Sequence, residues 1–340
     1  MKISRIAAAA LMGAVCGGGA LAAEGGGLQG WWQAYLSAPH LKTHDGRRLR
    51  VFCMGSGAPA VVFEGGLGAS GNSFRYVQPE IAKTTRACVY DRAGYGGSDE
   101  AHDARDLKAI SADLEVVVKA AGHGQPIVLA GHSMGGPITR YFAATHRKQI
   151  AGLVLIDPSG DDQRRRFEEA APGTSHGDEE SMAKSRRCIA LLEKGPLTQG
   201  TGDYKDCVGA SPDDAPAARK AKNLSREALV HTRTSVTELE NLEADAANAR
   251  EGAAVRKGLG EIPLIVLTRG KDLTRAGFTP AQNAAYTNLW RQMHWEDSQL
   301  SSHGRRIFVE GSGHSIQHDK PEAVIAAVDE VVAEVRSGRP

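Results

Sequence analysis

Pro126-Ile127-Val128-Leu129-Ala130-Gly131-His132-Ser133-Met134-Gly135-Gly136 is the stretch that decides how this chain is organised. Its first half is a continuous apolar run with β-branched residues, the pattern of a strand covered on both faces rather than one with a wet side. Its second half matches G-x-S-x-G, a turn from strand into helix sharp enough to leave a serine hydroxyl exposed above a sheet. Five letters occur by chance. The setting lifts this match above a plain glycine turn: a strand-like run leads into it and a helix-compatible stretch, residues 135–146, follows.

Comparable runs recur on either side. Residues 60–63 precede Glu64-Gly65-Gly66, residues 87–90 run into Asp91-Arg92-Ala93-Gly94-Tyr95-Gly96, and residues 153–156 precede Asp157-Pro158. Later come residues 262–267 and 306–309. Between them, residues 107–121 place Ile110, Leu114, Val117 and Val118 at helical spacing and stop at Gly122, and residues 321–335 form a helix with Pro321 in its first turn. Such alternation of strand and helix predicts a doubly wound α/β fold. Residues 161–258 interrupt it, being rich in Ala, Arg, Lys, Glu and Asp and poor in strand formers. They still hold Ile189, Leu191, Leu192, Leu229 and Leu239, so they read as a helical insertion, not a linker. The expected organisation is a core of residues 23–160 and 259–340 split by that insertion.

The first 22 residues read as a secretory signal peptide: Lys2 and Arg5, an apolar run over residues 6–15, then Ala20-Leu21-Ala22 before cleavage after Ala22 or Ala23. The run is about half the ~20 residues a spanning helix needs, so no stable membrane insertion is expected. Export leads to the periplasm or the exterior, where disulfides form. Cys53, Cys88, Cys188 and Cys207 remain after cleavage, an even number that permits two bridges in three pairings. With no CxxC and no cysteine–histidine cluster, no metal site is expected. The formal net charge of +1 stays close to neutral when Lys2 and Arg5 leave, which gives no electrostatic case for nucleic acid.

A serine hydroxyl is a weak nucleophile and needs a base to take its proton. Of twelve histidines, His40, His44, His102, His123 and His176 sit in polar stretches with nothing to single them out. His314 differs, lying in Gly311-Ser312-Gly313-His314 after the run at 306–309 and before the C-terminal helix. A carboxylate should orient its imidazole. Asp272, in the loop after residues 262–267, is the expected one, and Asp157, at the end of residues 153–156, is its rival. The oxyanion of an acyl transfer needs backbone donors. Met134 supplies the first amide. Gly65-Gly66-Leu67-Gly68 supplies the second, from Leu67 with Gly66 next.

With these pieces placed, the chain resembles the α/β-hydrolase superfamily from about residue 48 to 335. Glu64 to Gly68 is similar to its oxyanion loop, Asp91-Arg92-Ala93-Gly94-Tyr95-Gly96-Gly97-Ser98 to its D-R-x-G-x-G-x-S segment, Gly131 to Gly136 to its nucleophile elbow, and Gly313-His314-Ser315-Ile316-Gln317 with Pro321 to its histidine loop. The resemblance implies an eight-stranded, mostly parallel sheet with helices on both faces, a helical lid at 161–258, and a structural role for Arg92 bracing loops near the site. It also makes neighbours of the strands holding Cys53 and Cys88, so that these pair and Cys188 with Cys207 staples the lid. Two departures stand out: Glu64 where many members carry histidine, and an acid loop, Arg269-Gly270-Lys271-Asp272, only loosely like the usual one.

A serine at the elbow disfavours epoxide hydrolases and haloalkane dehalogenases of this fold, which use aspartate there. The expected activity is hydrolysis of a small-molecule carboxylic ester through a Ser-His-Asp acyl-enzyme, without cofactor. The alternatives are an aminopeptidase-type peptidase or amidase, with Glu168, Glu169, Glu179 and Glu180 of the insertion binding an amine, and a non-catalytic ligand-binding homologue.

Overall fold

The computed structural model describes residues 27–173, 176–209, 224–242, 252, 254–255, 257–275 and 277–338. The expected signal peptide lies outside them. Eight strands form one sheet: β1 (His40–Lys42), β2 (Arg48–Met54), β3 (Val61–Glu64), β4 (Ala87–Tyr90), β5 (Ile127–His132), β6 (Ile150–Ile156), β7 (Leu264–Arg269) and β8 (Gly304–Val309). Their order across the sheet is β1-β2-β4-β3-β5-β6-β7-β8. β2 runs antiparallel to β1 and β4, and every pairing from β4 onward is parallel.

The continuous apolar runs have a simple outcome. Val62, Leu129, Leu155 and Val266 face one core with Ile110, Leu114, Ile138 and Phe142, from the helices Leu107–Gly122 and Gly135–Thr145. Their strand neighbours Phe63, Ala130, Ile156 and Leu267 face a second core with Val324, Val328 and Val331 of the helix Pro321–Ser337 and with Trp31 and Tyr35 of the helix Gly27–Leu36. Each fully buried aliphatic side chain contributes about 1.5–3 kcal/mol, so both faces of every central strand must be apolar. The helix Leu107–Gly122 is bounded by local chemistry: Asp106 accepts from the Ala109 amide at 2.8 Å, and His123 stops it in the left-handed region at φ 49°.

β7 occupies residues 264–269 rather than 262–267. Pro263 has no N–H for a ladder and serves only through its carbonyl, which accepts from the Leu153 amide at 2.9 Å. At the far end Thr268 and Arg269 pair with Phe308 and Val309 of β8. Arg269 is therefore the last residue of a strand, which matters for the site.

Between β6 and β7 the described residues form the helices Gln163–Ala170, His176–Glu193, Gly202–Cys207 and Leu224–Leu242. Cys188 and Cys207 join the second to the third, with Cα atoms 5.3 Å apart. Cys53 and Cys88 face each other across β2 and β4 and are bonded, with Cα atoms 4.0 Å apart. Among the described residues no helix is long and apolar enough to cross a membrane.

Candidate active site

The elbow forms because the backbone around it has no room for side chains. A Cβ at Gly131 would lie 2.3 Å from Thr139 Oγ1, and one at Gly135 would lie 2.6 Å from the Glu64 carbonyl oxygen. Between them Ser133 adopts φ 53°, a left-handed conformation that costs a non-glycine residue about 1–2 kcal/mol. Neighbouring strand ends hold it there. The Ser133 amide donates to the Ile156 carbonyl at 3.1 Å, and its own carbonyl accepts from Gly136 at 2.8 Å and Ser159 at 2.9 Å.

His314 follows β8 and precedes the short helix Ile316–Asp319. Its Nε2 lies 2.8 Å from Ser133 Oγ and its Nδ1 lies 2.7 Å from Asp157 Oδ2. A carboxylate beside Nδ1 calls for a proton there, which leaves Nε2 as acceptor for the serine hydroxyl. The His314 backbone is anchored as well, because the buried His132 donates from Nε2 to the His314 carbonyl at 3.0 Å. Burial, with the adjacent His314 ring, lowers the His132 pKa to about 3, so His132 is a neutral brace.

Asp157 is fully buried at the end of β6. Its Oδ1 accepts from the Arg269 amide at 3.0 Å and from Trp290 Nε1 at 3.0 Å, and its Oδ2 faces Arg269 Nε at 2.6 Å as well as His314. Burial pushes this carboxyl up, but the His314 hydrogen bond and the Arg269 charge outweigh it and bring it down to about 2. His294 braces the turn that follows: its Nδ1 accepts from Thr268 Oγ1 at 2.8 Å and its Nε2 donates to the Pro158 carbonyl at 2.9 Å. Burial lowers the His294 pKa to about 4 and leaves it neutral.

Asp272 is the correction. Its side chain is 72% exposed and bonds Arg291 Nη2 at 2.7 Å, so it is not the carboxylate beside His314. The two-residue shift of β7 puts Arg269 at the strand end, and the loop then leaves the site. The Lys271 amide bonds the Ser312 carbonyl at 3.0 Å, and Asp272 emerges beyond it.

Over the serine passes the loop after β3. A Cβ at Gly66 would lie 3.2 Å from Ser133 Cβ, while Leu67 is 38% exposed and Met134 is buried at the start of its helix. The loop is held by its carbonyls. Arg92, fully buried, donates to those of Gly65 and Gly66, both at 2.7 Å, and to Glu64 Oε1 at 2.6 Å. Glu64 thus stands beside Arg92 as its counter-ion, with the Tyr90 hydroxyl bonded to its other oxygen. A second carboxylate comes from the helix Leu224–Leu242: Glu238 accepts from Arg92 Nε and Nη2, each at 3.0 Å, and from the Tyr95 hydroxyl at 2.8 Å. From the same helix His231 donates to the Gly68 carbonyl at 2.8 Å.

Nothing in the sequence singles out Arg269 or Glu238. For Trp290 and His294 the one available signal is the start of the helix that carries them. Thr279-Pro280-Ala281-Gln282 is a capping box, with reciprocal bonds between Thr279 and Gln282, and it opens the helix Pro280–Ser298 that carries both residues. No group of side chains able to hold a metal ion occurs among the described residues.

Residues 59–182 match the family described as alpha/beta hydrolase fold. The uncharacterized protein YqjL of Bacillus subtilis is 26% identical over 278 residues, covering 82% of this chain and 85% of that protein. A thermophilic esterase from Thermogutta terrifontis superposes with a TM-score of 0.56 at 20% identity, covering 88% of this chain and 99% of that one. A putative epoxide hydrolase from Pseudomonas aeruginosa gives a TM-score of 0.61 at 18% identity, covering 89% and 98%. At such identities the solved structures speak for the fold alone.

Proposed function

The chain belongs to the α/β-hydrolase superfamily and is an enzyme of that type, and on that premise we propose that it cleaves small-molecule carboxylic esters through a covalent acyl-serine. The observation that carries this reading is the pair of contacts at His314: 2.8 Å to Ser133 Oγ on one nitrogen and 2.7 Å to Asp157 on the other. Nucleophile, base and orienting acid within hydrogen-bond reach are what acyl transfer by serine needs.

In the proposed sequence Ser133 Oγ attacks the ester carbonyl as its proton passes to His314 Nε2. Asp157 stabilises the imidazolium. The carbonyl oxygen becomes an oxyanion facing the amide of Met134 and one from Gly66 or Leu67, and donors fixed in advance are worth about 10²–10³ in kcat each. Collapse of the tetrahedral species expels the alkoxide, which takes the proton from Nε2. Water, activated by the same imidazole, then releases the acid and restores Ser133.

Several observations favour this over its rivals. An epoxide hydrolase of this fold needs a carboxylate at the elbow, where this chain has serine. An amine-binding role for the acidic insertion residues is weakened because Glu169 pairs with Arg165 and Glu179 with Arg164 on the insertion itself. The helices between β6 and β7 serve as the lid in this reading, with Leu224–Leu242 resting on the oxyanion loop through His231 and Glu238. Two disulfides accord with the proposed export into an oxidising compartment.

Hydrolysis of p-nitrophenyl acetate and butyrate by the purified protein tests the proposal. Turnover that vanishes in Ser133→Ala supports it. Undiminished turnover in that variant, or none in the folded wild type with any activated ester, would sink it.

A further inference from the structure

Arg269 ends β7 in contact with both partners of the hydrogen-bond relay. Its Nε lies 2.6 Å from Asp157 Oδ2, its Nη2 lies 3.0 Å from His314 Nδ1, and its backbone N–H donates to Asp157 Oδ1 at 3.0 Å. The guanidinium carbon sits 4.6 Å from the Trp290 ring centre, and the side chain is 12% exposed. A permanent cation thus stands within hydrogen-bond distance of the ring nitrogen that must carry a proton for His314 to act as base.

Nδ1 has room for one hydrogen, so the two neighbours compete. When the hydrogen is present it goes to Asp157, and the Arg269 Nη2 N–H faces an N–H. When it is absent Arg269 donates to Nδ1, the ring hydrogen moves to Nε2, and the ring cannot accept the Ser133 proton. A doubly protonated ring is opposed by the guanidinium charge and favoured by the carboxylate. We propose that Arg269 acts through His314: by placing positive charge at Nδ1, it extends ester cleavage to lower pH than the Asp157–His314 pair alone would allow.

This rests on the reading of Ser133, His314 and Asp157 as nucleophile, base and acid. The surroundings leave few competing charges. His132, with its ring centre 4.8 Å from that of His314, and His294, 3.9 Å from Asp157, are both held neutral by burial. Of the remaining groups, His318 acts on His132, and Tyr286 and Arg275 act on Arg269. Asp157 keeps two donors that no substitution at 269 removes, the residue's own backbone N–H and Trp290 Nε1. Loss of the guanidinium therefore alters charge more than it alters the position of the acid.

The test compares wild type, Arg269→Lys and Arg269→Gln in kcat/KM for p-nitrophenyl acetate across pH 4.5–9, with His314 protonation followed by NMR in 15N-histidine-labelled protein. The acid limb of Arg269→Gln should move up by about one pH unit, a tenfold loss on the acidic side with a much smaller change on the alkaline plateau. Arg269→Lys, which keeps the charge, should stay near wild type. Where Arg269→Gln does not fold, Arg269→Met, which keeps the stem over Trp290, takes its place. A limb that is unmoved or moves down, with unchanged NMR titration, overturns the inference. Should the wild type cleave no ester, the activity reading has failed, and the NMR titration still decides the role of Arg269.

Discussion

Asp157→Asn is the substitution that separates the two aspartates most sharply. The side chain keeps its shape but loses its charge, and one of its two heavy atoms becomes a donor. In the structure both oxygens face donors: Trp290 Nε1 and the Arg269 amide at Oδ1, His314 Nδ1 and Arg269 Nε at Oδ2. Whichever way the new amide turns, an N–H meets an N–H. If it turns toward His314, the imidazole is driven to hold its hydrogen on Nε2 and can no longer deprotonate Ser133. The expected loss is about 10³- to 10⁴-fold in kcat, with KM nearly unchanged. Leaving the mostly buried Arg269 without its counter-ion should also cost about 3–5 kcal/mol of stability. Thermal unfolding must therefore be measured beside initial rates, and rates normalised to folded protein. Asp272→Asn, at a side chain 72% exposed, should change kcat less than twofold. Near-wild-type turnover in Asp157→Asn together with a large loss in Asp272→Asn would refute the assignment of the acid.

Three further outcomes are expected. Stability should fall on acidification in two stages. His132 and His294, depressed to about 3 and about 4 in the folded protein, bind protons when unfolded from about pH 6.5 downward, so between pH 6 and 4.5 urea unfolding should weaken by about 1.4 kcal/mol per pH unit for each. Asp157, depressed to about 2, contributes stability above its unfolded value near 3.8 that is lost as pH falls toward 2; a flat profile from pH 7 to 3 would contradict both stages. Glu238→Gln, which loosens Arg92 from the helix Leu224–Leu242 while leaving the carbonyls of Gly65 and Gly66 in reach, should lower kcat tenfold to a hundredfold with little change in KM, as steady-state kinetics would show. Cys53→Ala with Cys88→Ala removes a bridge across 35 residues and should cost about 4 kcal/mol in denaturant unfolding, with the triad contacts and activity of the folded protein retained.

Ser133 and His314 stand out in the sequence because their surroundings are local: a strand run, a glycine turn and a helix within a dozen residues. The acid is different. Asp157 and Asp272 both follow apolar runs, and the choice between them depends on where β7 ends and on which helix packs beneath it, neither of which a short window contains. Trp290 reaches Asp157 from 133 residues away in sequence, and Glu238 reaches Arg92 from 146. The helix Gly27–Leu36 does not stand out beside the leader-like residues before it, yet its Tyr35 hydroxyl bonds Asp91 at 2.5 Å. The edge strand β1 and its neighbour β2 do not read as apolar runs because they mix charged and apolar residues, as a strand with one exposed face does. What escapes a linear reading is the set of buried polar contacts made across the sheet, and those contacts brace the site.

The proposed mechanism makes Ser133 a nucleophile activated by His314 and Asp157. Incubation of the folded protein with a fluorophosphonate probe, followed by peptide mass spectrometry, addresses it without knowledge of the substrate. One adduct per chain on the peptide containing Ser133, formed at least a hundredfold more slowly in His314→Ala, is the expected result. An unlabelled Ser133 in folded protein, or labelling at the same rate without His314, would contradict it.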